Sequence, residues 1–300
     1  MKDEILARIE RALGVTGLAE RLATRIQQAD LHSLLLEVFR RRVVERTPAE
    51  LLKDWASNRF VRPSTAEPAA LARFDVAAYG ALPAGFEALE LAPVTPLGTS
   101  SVLATVHPDK ALASIRSVEV LSDATNVLAL ECAARRKKNP TAPVHLAASH
   151  RHLRTPLFQG PLSFAHFRLF VLCSAGRDPR FHETALVTHL EFYARVARTA
   201  LGAHVPIRIS LTDLRGDPPR DFARDPGPEQ VEVVFDQSRA TGRGYYTDWC
   251  FKIHARHEGE WLELGDGGAV DWAQKLLSNA KERLVISGIS SERICAIAGP

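Results

Sequence analysis

The segment Gly242-Arg243-Gly244-Tyr245-Tyr246-Thr247 is the most informative feature of this chain. Glycines flank an arginine and lead directly into two adjacent tyrosines, and Phe251 follows the pair. Two further glycine-containing segments come later, Gly267-Gly268-Ala269-Val270-Asp271 and Gly288-Ile289-Ser290-Ser291-Glu292-Arg293. A single tyrosine would favour core packing with a satisfied hydroxyl, whereas a tyrosine pair in this frame favours the wall of a pocket.

The composition is that of an ordinary globular protein. The 300 residues are 46% hydrophobic and 24% charged, which is enough for a sizeable core. The net charge of +3 does not argue for nucleic-acid binding. Four cysteines are scattered among apolar residues, which indicates free thiols and a cytoplasmic protein. We expect no signal peptide and no membrane partner, because no stretch of about 18 apolar residues is present.

Two kinds of pattern divide the chain. Residues 3 to about 60 place apolar side chains at helical spacing, and Thr47-Pro48-Ala49-Glu50 has the form of a capping box. From about residue 85 onward, short alternating segments predict strands. We therefore expect a helical N-terminal segment over residues 1–62 and an α/β domain over residues 63–300.

The strand segments are interrupted by only a few helices. Such an order favours an α+β fold with an antiparallel sheet over a doubly wound parallel sheet. The predicted strands are 89–95, 102–106, 117–121, 144–148, 167–174, 205–211, 231–235, 245–255 and 261–264. The predicted helices that follow the N-terminal segment end at about residue 79 or cover 125–136, 183–201, 270–278 and 291–297.

In order and spacing, the three glycine-containing segments resemble the catalytic domain of histidyl-tRNA synthetases. They resemble equally the related regulatory subunit of ATP phosphoribosyltransferase, and the likeness covers roughly residues 85–298. The resemblance implies a class II synthetase-like fold, an antiparallel sheet flanked by helices, that binds ATP and an amino acid. It also implies a homodimer, because class II relatives dimerise.

An acidic turn is the first segment whose residues can be compared with the family. Asp123 and Thr125 match the acid and the threonine of a family turn that receives the α-ammonium group of the substrate. A carboxylate is a natural partner for an ammonium through charge-assisted hydrogen bonds. The alternative is that Asp123 only caps the helix that follows it.

Arginines come next in the resemblance. Arg154 falls where the family places an arginine on the α-phosphate of ATP, with Arg151 as the alternative, and a solvated loop would explain both. Before the tyrosines, the position of the family's catalytic arginine is Thr241 here. Arg243 or Arg239 could supply that charge, and we predict Arg154 and Arg243 as the catalytic pair.

The remaining site residues come from the last two segments. The resemblance implies that Tyr245, Tyr246, Gly267 and Gly268 line the substrate pocket, although a plain turn would also explain the glycines. Gly288, Glu292 and Arg293 match the third class II motif, in which the arginine holds the γ-phosphate of ATP. We expect Mg²⁺ beside the phosphates, with two carboxylates as candidate ligands, namely Glu263 and Asp266.

Several positions depart from the family. Leu169 and Cys173 stand where the family has a glutamine and a glutamate, and Ala269 replaces an arginine. Without those polar groups, a histidine substrate would leave its own polar atoms unpaired. We therefore do not expect histidine specificity, and a smaller or apolar ligand is easier to accommodate.

Two functions fit these residues. The first is an adenylate-forming ligase that activates a small carboxylate or amino acid with ATP and passes it to a non-tRNA acceptor. The alternative is a catalytically degenerate class II synthetase paralogue that acts as a ligand-binding or regulatory subunit. We do not expect tRNA charging, because only seven residues follow Arg293. The N-terminal helices could contact a protein partner or the dimer mate.

Overall fold

The computed structural model describes residues 2–156, 162, 164–215, 231–242 and 244–299. The α-helices are α1 (Lys2–Leu13), α2 (Leu18–Thr24), α3 (Gln28–Val44), α4 (Pro48–Ser57), α5 (Pro68–Gly80), α6 (Thr99–Leu103), α7 (Ala124–Lys138), α8 (Phe181–Leu201), α9 (Trp272–Leu277) and α10 (Ser291–Ala298). The strands are β1 (Phe86–Ala88), β2 (Val94–Pro96), β3 (Ala113–Ser114), β4 (Val118–Val120), β5 (Val144–Leu153), β6 (His166–Gly176), β7 (Ile207–Asp213), β8 (Glu232–Phe235), β9 (Trp249–His257), β10 (Glu260–Val270) and β11 (Arg283–Ser290).

Two compact units divide the chain. The first comprises Met1–Arg62 with Ala113–Val118, and the second comprises Pro63–Leu112 with Glu119–Pro300. In the first unit, the capping box at the start of α4 is present: Glu50 N donates to Thr47 Oγ1 and Thr47 N donates to the Glu50 carboxylate. Among their described residues, helices α2, α3 and α4 contain no buried side chain.

The second unit is built on an eight-stranded sheet in the order β1-β5-β6-β11-β10-β9-β7-β8. The six central strands are antiparallel throughout. At the two edges, β1 pairs parallel with β5 and β8 pairs parallel with β7. The predicted α+β fold with an antiparallel sheet flanked by helices is thus confirmed, with the addition of a parallel strand at each edge.

Helices cover both faces of the sheet, and β6 shows how. Alternate side chains of a strand point to opposite faces. Phe170 and Leu172 therefore join the core under α8, whereas Val171 and Cys173 join the core under α7. All four side chains are fully buried, and each large apolar one contributes roughly 1.5–3 kcal/mol by leaving water.

The prediction of a strand over residues 102–106 is wrong, because α6 occupies the start of that segment. The side chain of Glu119 is buried and accepts hydrogen bonds from Gly98 N at 2.9 Å and Ser100 N at 2.8 Å. Those backbone groups lie at the N-terminus of α6, where helical N–H groups lack partners within the helix. A carboxylate distant in sequence therefore stabilises a helix that local propensity disfavours.

The predicted strand 89–95 is present only in its last two residues, because β1 ends at Ala88 and β2 begins at Val94. Pro93 lies between them and has no N–H to donate to a ladder. Leu89 still donates its backbone N–H to Ala147 O at 2.8 Å, just beyond the end of β1. The chain then leaves the large sheet, and β2 lies beside β4 in a separate small sheet.

Candidate functional site

A cavity of about 970 Å³ opens in the second unit over strands β6, β9, β10 and β11. Its volume is within the range that small-molecule and cofactor sites occupy. Most of the residues predicted from the sequence meet there, although they come from distant parts of the chain. The predicted residues that line the cavity are Asp123, Thr125, Arg154, Tyr245, Tyr246, Glu263, Asp266, Gly288 and Arg293.

Asp123 uses its two carboxylate oxygens differently. Oδ1 accepts from Thr125 N at 3.0 Å and from Thr125 Oγ1 at 2.7 Å, which is the N-cap of α7. Oδ2 lies 3.5 Å from Arg154 Nη2, and Arg154 Nε donates to Ser122 O. The capping role is therefore present, and a second oxygen of the same side chain is left facing a guanidinium in the cavity.

His152 fixes the N-terminus of α7 from the neighbouring strand. Ala124 N donates to His152 Nε2 at 2.7 Å, and the imidazole is completely buried. Burial lowers the pKa of His152 well below its usual range, and the positive charge of Arg154 lowers it further. The ring is therefore neutral, which leaves a lone pair on Nε2 for the helix. No motif in the sequence points to this histidine, because its contact with α7 spans 28 positions.

The tyrosine pair forms one wall. The Tyr246 hydroxyl donates to Asp266 Oδ2 at 3.0 Å, and the two tyrosine rings meet edge to face with centroids 4.9 Å apart. Tyr245 in turn packs edge to face on Trp272. Burial raises the pKa of both tyrosines well above the usual value, so both hydroxyls stay protonated.

Arg239 lies beside this wall, with its guanidinium 5.4 Å from the centroid of the Tyr246 ring, and it also lines the cavity. Its side chain is almost fully buried and donates to Thr241 O at 2.8 Å and to Phe251 O at 3.1 Å. Its Nη2 lies 3.4 Å from Asp266 Oδ2. Arg243, which the sequence analysis predicts as a catalytic arginine, lies outside the described residues.

A β-bulge brings two carboxylates to the same side of β10. Glu263 and Asp266 are three positions apart, so a regular strand would point them to opposite faces. The register with β9 shifts between Glu263 and Gly265, and both carboxylates consequently line the cavity. Enclosure by the cavity walls raises the pKa of Asp266, and the nearby charge of Glu263 raises it further.

Two cations accompany this carboxylate pair. Lys252 Nζ lies 2.5 Å from Glu263 Oε2, and Arg293 Nη1 donates to Glu263 O at 2.5 Å. Burial lowers the pKa of Arg293, and the charge of Arg154 acts in the same direction. Three guanidinium groups, those of Arg154, Arg239 and Arg293, thus line one cavity, a site that favours a polyanionic ligand.

Glycines at the site serve close packing of the sheet. A Cβ on Gly267 would lie 2.4 Å from Ser287 Cβ, and one on Gly268 would lie 2.7 Å from Tyr246 Cδ1. These two glycines lie outside the set of residues that line the cavity. Their missing side chains admit the neighbouring strand and the tyrosine wall, so the observed role is one of packing rather than direct approach to a ligand.

Glu292 also lies away from the cavity. Its carboxylate is buried, with Oε1 2.9 Å from Arg151 Nη2 and 3.0 Å from Ser64 Oγ. This ion pair anchors the first turn of α10. The next residue, Arg293, then projects into the cavity, so Glu292 positions the helix that carries the arginine.

Part of the cavity lining is apolar. Val171 and Ile286 are buried there, and Leu169 lies beside them on β6. Cys173, two positions further along the same face, is fully buried with its sulfur 3.7 Å from the sulfur of Cys132. The position where the family has a glutamate is therefore packed core in this chain.

A neutral hydrogen-bonded chain runs from the cavity into the core. Ser287 lines the cavity, and its Oγ lies 2.7 Å from His189 Nδ1 and 3.1 Å from the Tyr193 hydroxyl. His189 Nε2 lies 2.9 Å from Ser174 Oγ, which lies 2.8 Å from His145 Nδ1. Burial lowers the pKa of His189 to about 3, so the ring is uncharged.

Within the described parts of the chain, no cluster of three or more histidine, cysteine, aspartate or glutamate side chains could hold a metal ion by itself. Mg²⁺ commonly takes only one or two protein carboxylates and completes its shell with water and phosphate oxygens. Glu263 and Asp266 fit that limited demand. Among the described residues, no helix is both long and apolar enough to cross a membrane.

Comparison with known proteins assigns the fold. No family model and no curated protein sequence matches the chain. Among solved structures, it is similar to an ATP phosphoribosyltransferase regulatory subunit/histidyl-tRNA synthetase from Bacillus halodurans, with a TM-score of 0.63 and 12% identity over 81% of this chain and 83% of that one.

Two synthetase structures are also similar. Histidyl-tRNA synthetase of S. aureus matches with a TM-score of 0.55 and 12% identity over 79% of this chain and 72% of that one. Pyrrolysyl-tRNA synthetase from Desulfitobacterium hafniense matches with a TM-score of 0.50 and 12% identity over 82% and 73%. The second unit therefore has the class II synthetase-like fold, as the order of the glycine-containing segments predicted.

Proposed function

We propose that this protein activates a small carboxylate, in the first instance an amino acid, with ATP as an acyl-adenylate for transfer to a non-tRNA acceptor. One observation carries the proposal: a carboxylate and a guanidinium, Asp123 and Arg154, lie 3.5 Å apart in a cavity that also holds Arg293. An aminoacyl-adenylate carries an ammonium and a phosphate a few bonds apart. The pair is therefore complementary to both groups at once.

Ligand binding would exchange one set of ion pairs for another. The substrate ammonium would replace Arg154 as the partner of Asp123 Oδ2, and a phosphate would replace Asp123 as the partner of Arg154. Both side chains are partly exposed, so neither has to leave a dry interior to make the exchange. Such swaps keep each charge paired, which avoids the large cost of an isolated charge.

In the proposed reaction, a carboxylate oxygen of the substrate attacks the α-phosphorus of ATP. The bond between the α-phosphorus and the bridging oxygen breaks, and pyrophosphate leaves with the electron pair. Arg154 would stabilise the charge that develops on the α-phosphate, and Arg293 would hold the departing pyrophosphate. The protein needs no general base for this step, because the attacking carboxylate is already ionised at neutral pH.

Mg²⁺ would be held by Glu263 and Asp266 together with phosphate oxygens, and it would supply neutralisation of the triphosphate charge. The two carboxylates are on one side of β10 because of the bulge between Glu263 and Gly265. Lys252, beside Glu263, adds a fixed positive charge to the same end of the cavity.

A second candidate function is ligand binding without chemistry, as a regulatory subunit. The observation that favours it is the loss of polar and charged groups that the family uses: Ala269 is fully buried, Leu169 makes an apolar floor, and Thr241 stands in place of an arginine. One of the similar solved structures bears the name of a regulatory subunit, and that name describes the similar protein. In this second function, the protein would bind an amino acid and no nucleotide.

Calorimetric titration distinguishes the two functions. The enzyme is expected to bind ATP with Mg²⁺ in the absence of amino acid, and the Arg154→Ala variant is expected to bind it at least tenfold more weakly. Arg73→Ala is the matched control, because Arg73 is exposed on α5 and lies outside the cavity. Amino-acid binding with no heat from ATP would reject the ligase and select the regulatory subunit.

The homodimer is proposed on the same analogy of fold. Light scattering on the purified chain should give about twice the mass of one 33.0 kDa chain. A monomer that binds ATP and amino acid normally would remove dimerisation from the proposal and leave the site untouched.

A further inference from the structure

Asn126 is a buried polar side chain that has no partner. It lies in the first turn of α7, is 1% exposed and lines the cavity. Its side-chain oxygen accepts no hydrogen bond from any residue that the structure describes. A buried carbonyl oxygen without a donor destabilises the fold, so a protein that retains one has a reason to do so.

The polar groups around Asn126 already have partners. Asp123 Oδ1 receives both donors of Thr125, and Asp123 Oδ2 faces Arg154. The Thr125 side chain also hydrogen-bonds Tyr245. Among the described residues that line the cavity, Asn126 alone has a buried side-chain atom without a hydrogen-bond partner. The missing donor is therefore expected from the ligand.

We propose that Asn126 selects amino acids whose side chain carries a neutral hydrogen-bond donor, a hydroxyl or a carboxamide. This inference rests on the proposed function, in which Asp123 binds the α-ammonium of an amino acid. The donor is neutral because Asn126 offers no charge, and a cationic side chain would lose its hydration without gaining a counter-charge.

The apolar part of the cavity lining limits the substrate further. Leu169, Val171 and Ile286 present apolar surface to the rest of the ligand. A side chain that fits is short or amphiphilic, with methyl or methylene groups against the floor and one donor toward Asn126. Serine, threonine, asparagine and glutamine belong to this class. A site built around a hydrogen bond discriminates strongly against the analogue that lacks the donor, because its own polar group is then left unpaired.

Isosteric pairs of amino acids test the proposal in binding, without any need for turnover. Dissociation constants are measured by calorimetry for threonine against valine and for asparagine against leucine, in the absence of ATP so that no adenylate forms. Wild-type protein is expected to prefer the donor-bearing member of at least one pair by tenfold or more. Asn126→Leu is expected to abolish or reverse that preference while the constant for valine or leucine changes less than threefold.

Two further variants complete the experiment, one as a replacement and one as a control. Asn126→Ala replaces Asn126→Leu if the leucine does not fold, and it is expected to lose the same preference. Val102→Ala is the control, because Val102 is 75% exposed on α6 and lies outside the cavity. It is expected to bind every amino acid as the wild type does.

Three results would overturn the inference, and they differ from one another. Equal affinity for both members of every pair in the wild type would leave the amino-acid site intact and remove the role of Asn126. A uniform loss for all amino acids in Asn126→Leu would show that Asn126 contacts the common α-ammonium instead of the side chain. No binding of any amino acid to folded wild-type protein would defeat the proposed function itself and this inference with it.

Discussion

Two polar networks border the same cavity and differ in charge and in access to water. The rim network consists of Asp123, Arg154, Lys252, Glu263 and Arg293. The side chains of its two ion pairs, Asp123–Arg154 and Lys252–Glu263, are between 22% and 39% exposed.

The dry network consists of His145, Ser174, His189, Tyr193 and Ser287. Its members other than His145 are at most 1% exposed, and they carry no charge at neutral pH. Burial raises the pKa of the Tyr193 hydroxyl far above the neutral range and lowers the pKa of both histidines. The network is thus a set of neutral groups that satisfy one another.

This difference in charge and exposure indicates which polar groups a ligand can use. Partly exposed ion pairs contribute little to stability, so a ligand can take over their partners at low cost. A neutral network in a dry interior is stabilising only while every member is satisfied, and it cannot change partners without penalty. We therefore propose that the rim network serves ligand binding, whereas the dry network stabilises the sheet and α8.

The largest expected effect comes from breaking the dry network. His189→Ala leaves a hole and removes a partner from both Ser174 and Ser287. We expect the free energy of unfolding to fall by about 3 kcal/mol. Urea denaturation checks this, with His107→Ala as the control because His107 is mostly exposed. A loss below about 1 kcal/mol would mean that the dry network is not a structural element.

Breaking the rim network is expected to act on ligands instead. Arg293→Ala should weaken ATP binding about 100-fold, because a partly buried cation would be lost from the triphosphate. Its melting temperature should stay within a few degrees of the wild type. ATP binding is followed by calorimetry beside Arg73→Ala. Unchanged affinity in a folded Arg293→Ala protein would contradict the assignment of the rim.

A smaller effect separates the two roles of Asp123. Asn is as good an N-cap as Asp, so Asp123→Asn should keep the stability of α7 within about 0.5 kcal/mol while it weakens amino-acid binding about tenfold. Asp123→Ala should show the same binding loss and a further loss of about 1 kcal/mol in stability. Equal binding by wild type and Asp123→Asn would reduce this residue to a helix cap.

A pH dependence of stability is also expected from the dry network. His189 has a pKa of about 3 in the folded protein and an ordinary value near 6.5 when unfolded. The unfolded chain therefore takes up a proton first, and this contribution to stability is full above pH 6.5 and is lost as the pH falls from 6.5 toward 3. The slope is at most about 1.4 kcal/mol per pH unit.

His189→Gln provides the comparison, because glutamine can still form hydrogen bonds and does not titrate. Its unfolding free energy is measured between pH 7 and pH 4.5 beside the wild type. The variant is expected to have a shallower slope in that window. Parallel curves would show that His189 does not supply the acid sensitivity.

Much of the fold could be predicted from the sequence, because its signals are local. The glycine-containing segments, the strand alternation of 167–174 and the helix of 183–201 each depend on neighbouring residues, and β6 and α8 are found there. The failure at 102–106 has the opposite cause. Glu119 on strand β4 supplies the cap of α6, and no local sequence pattern shows such a contact.

The candidate site divides in the same way. Asp123, Arg154 and Arg293 could be chosen from the sequence because each stands in a motif, and the structure brings them to one cavity. The rest depends on contacts between distant residues. His189 and Ser287 are 98 positions apart, and His152 contacts α7 across 28 positions, so no spacing rule would connect them.

Amino-acid-dependent exchange of labelled pyrophosphate into ATP tests the proposed adenylate formation. Because adenylate formation is reversible, wild-type protein is expected to incorporate label into ATP when a pool of amino acids is present. Arg293→Ala is expected to lose this incorporation, and Arg73→Ala is expected to retain it. Folded wild-type protein that binds ATP and an amino acid yet exchanges no label would contradict the assignment of the rim network to adenylate chemistry.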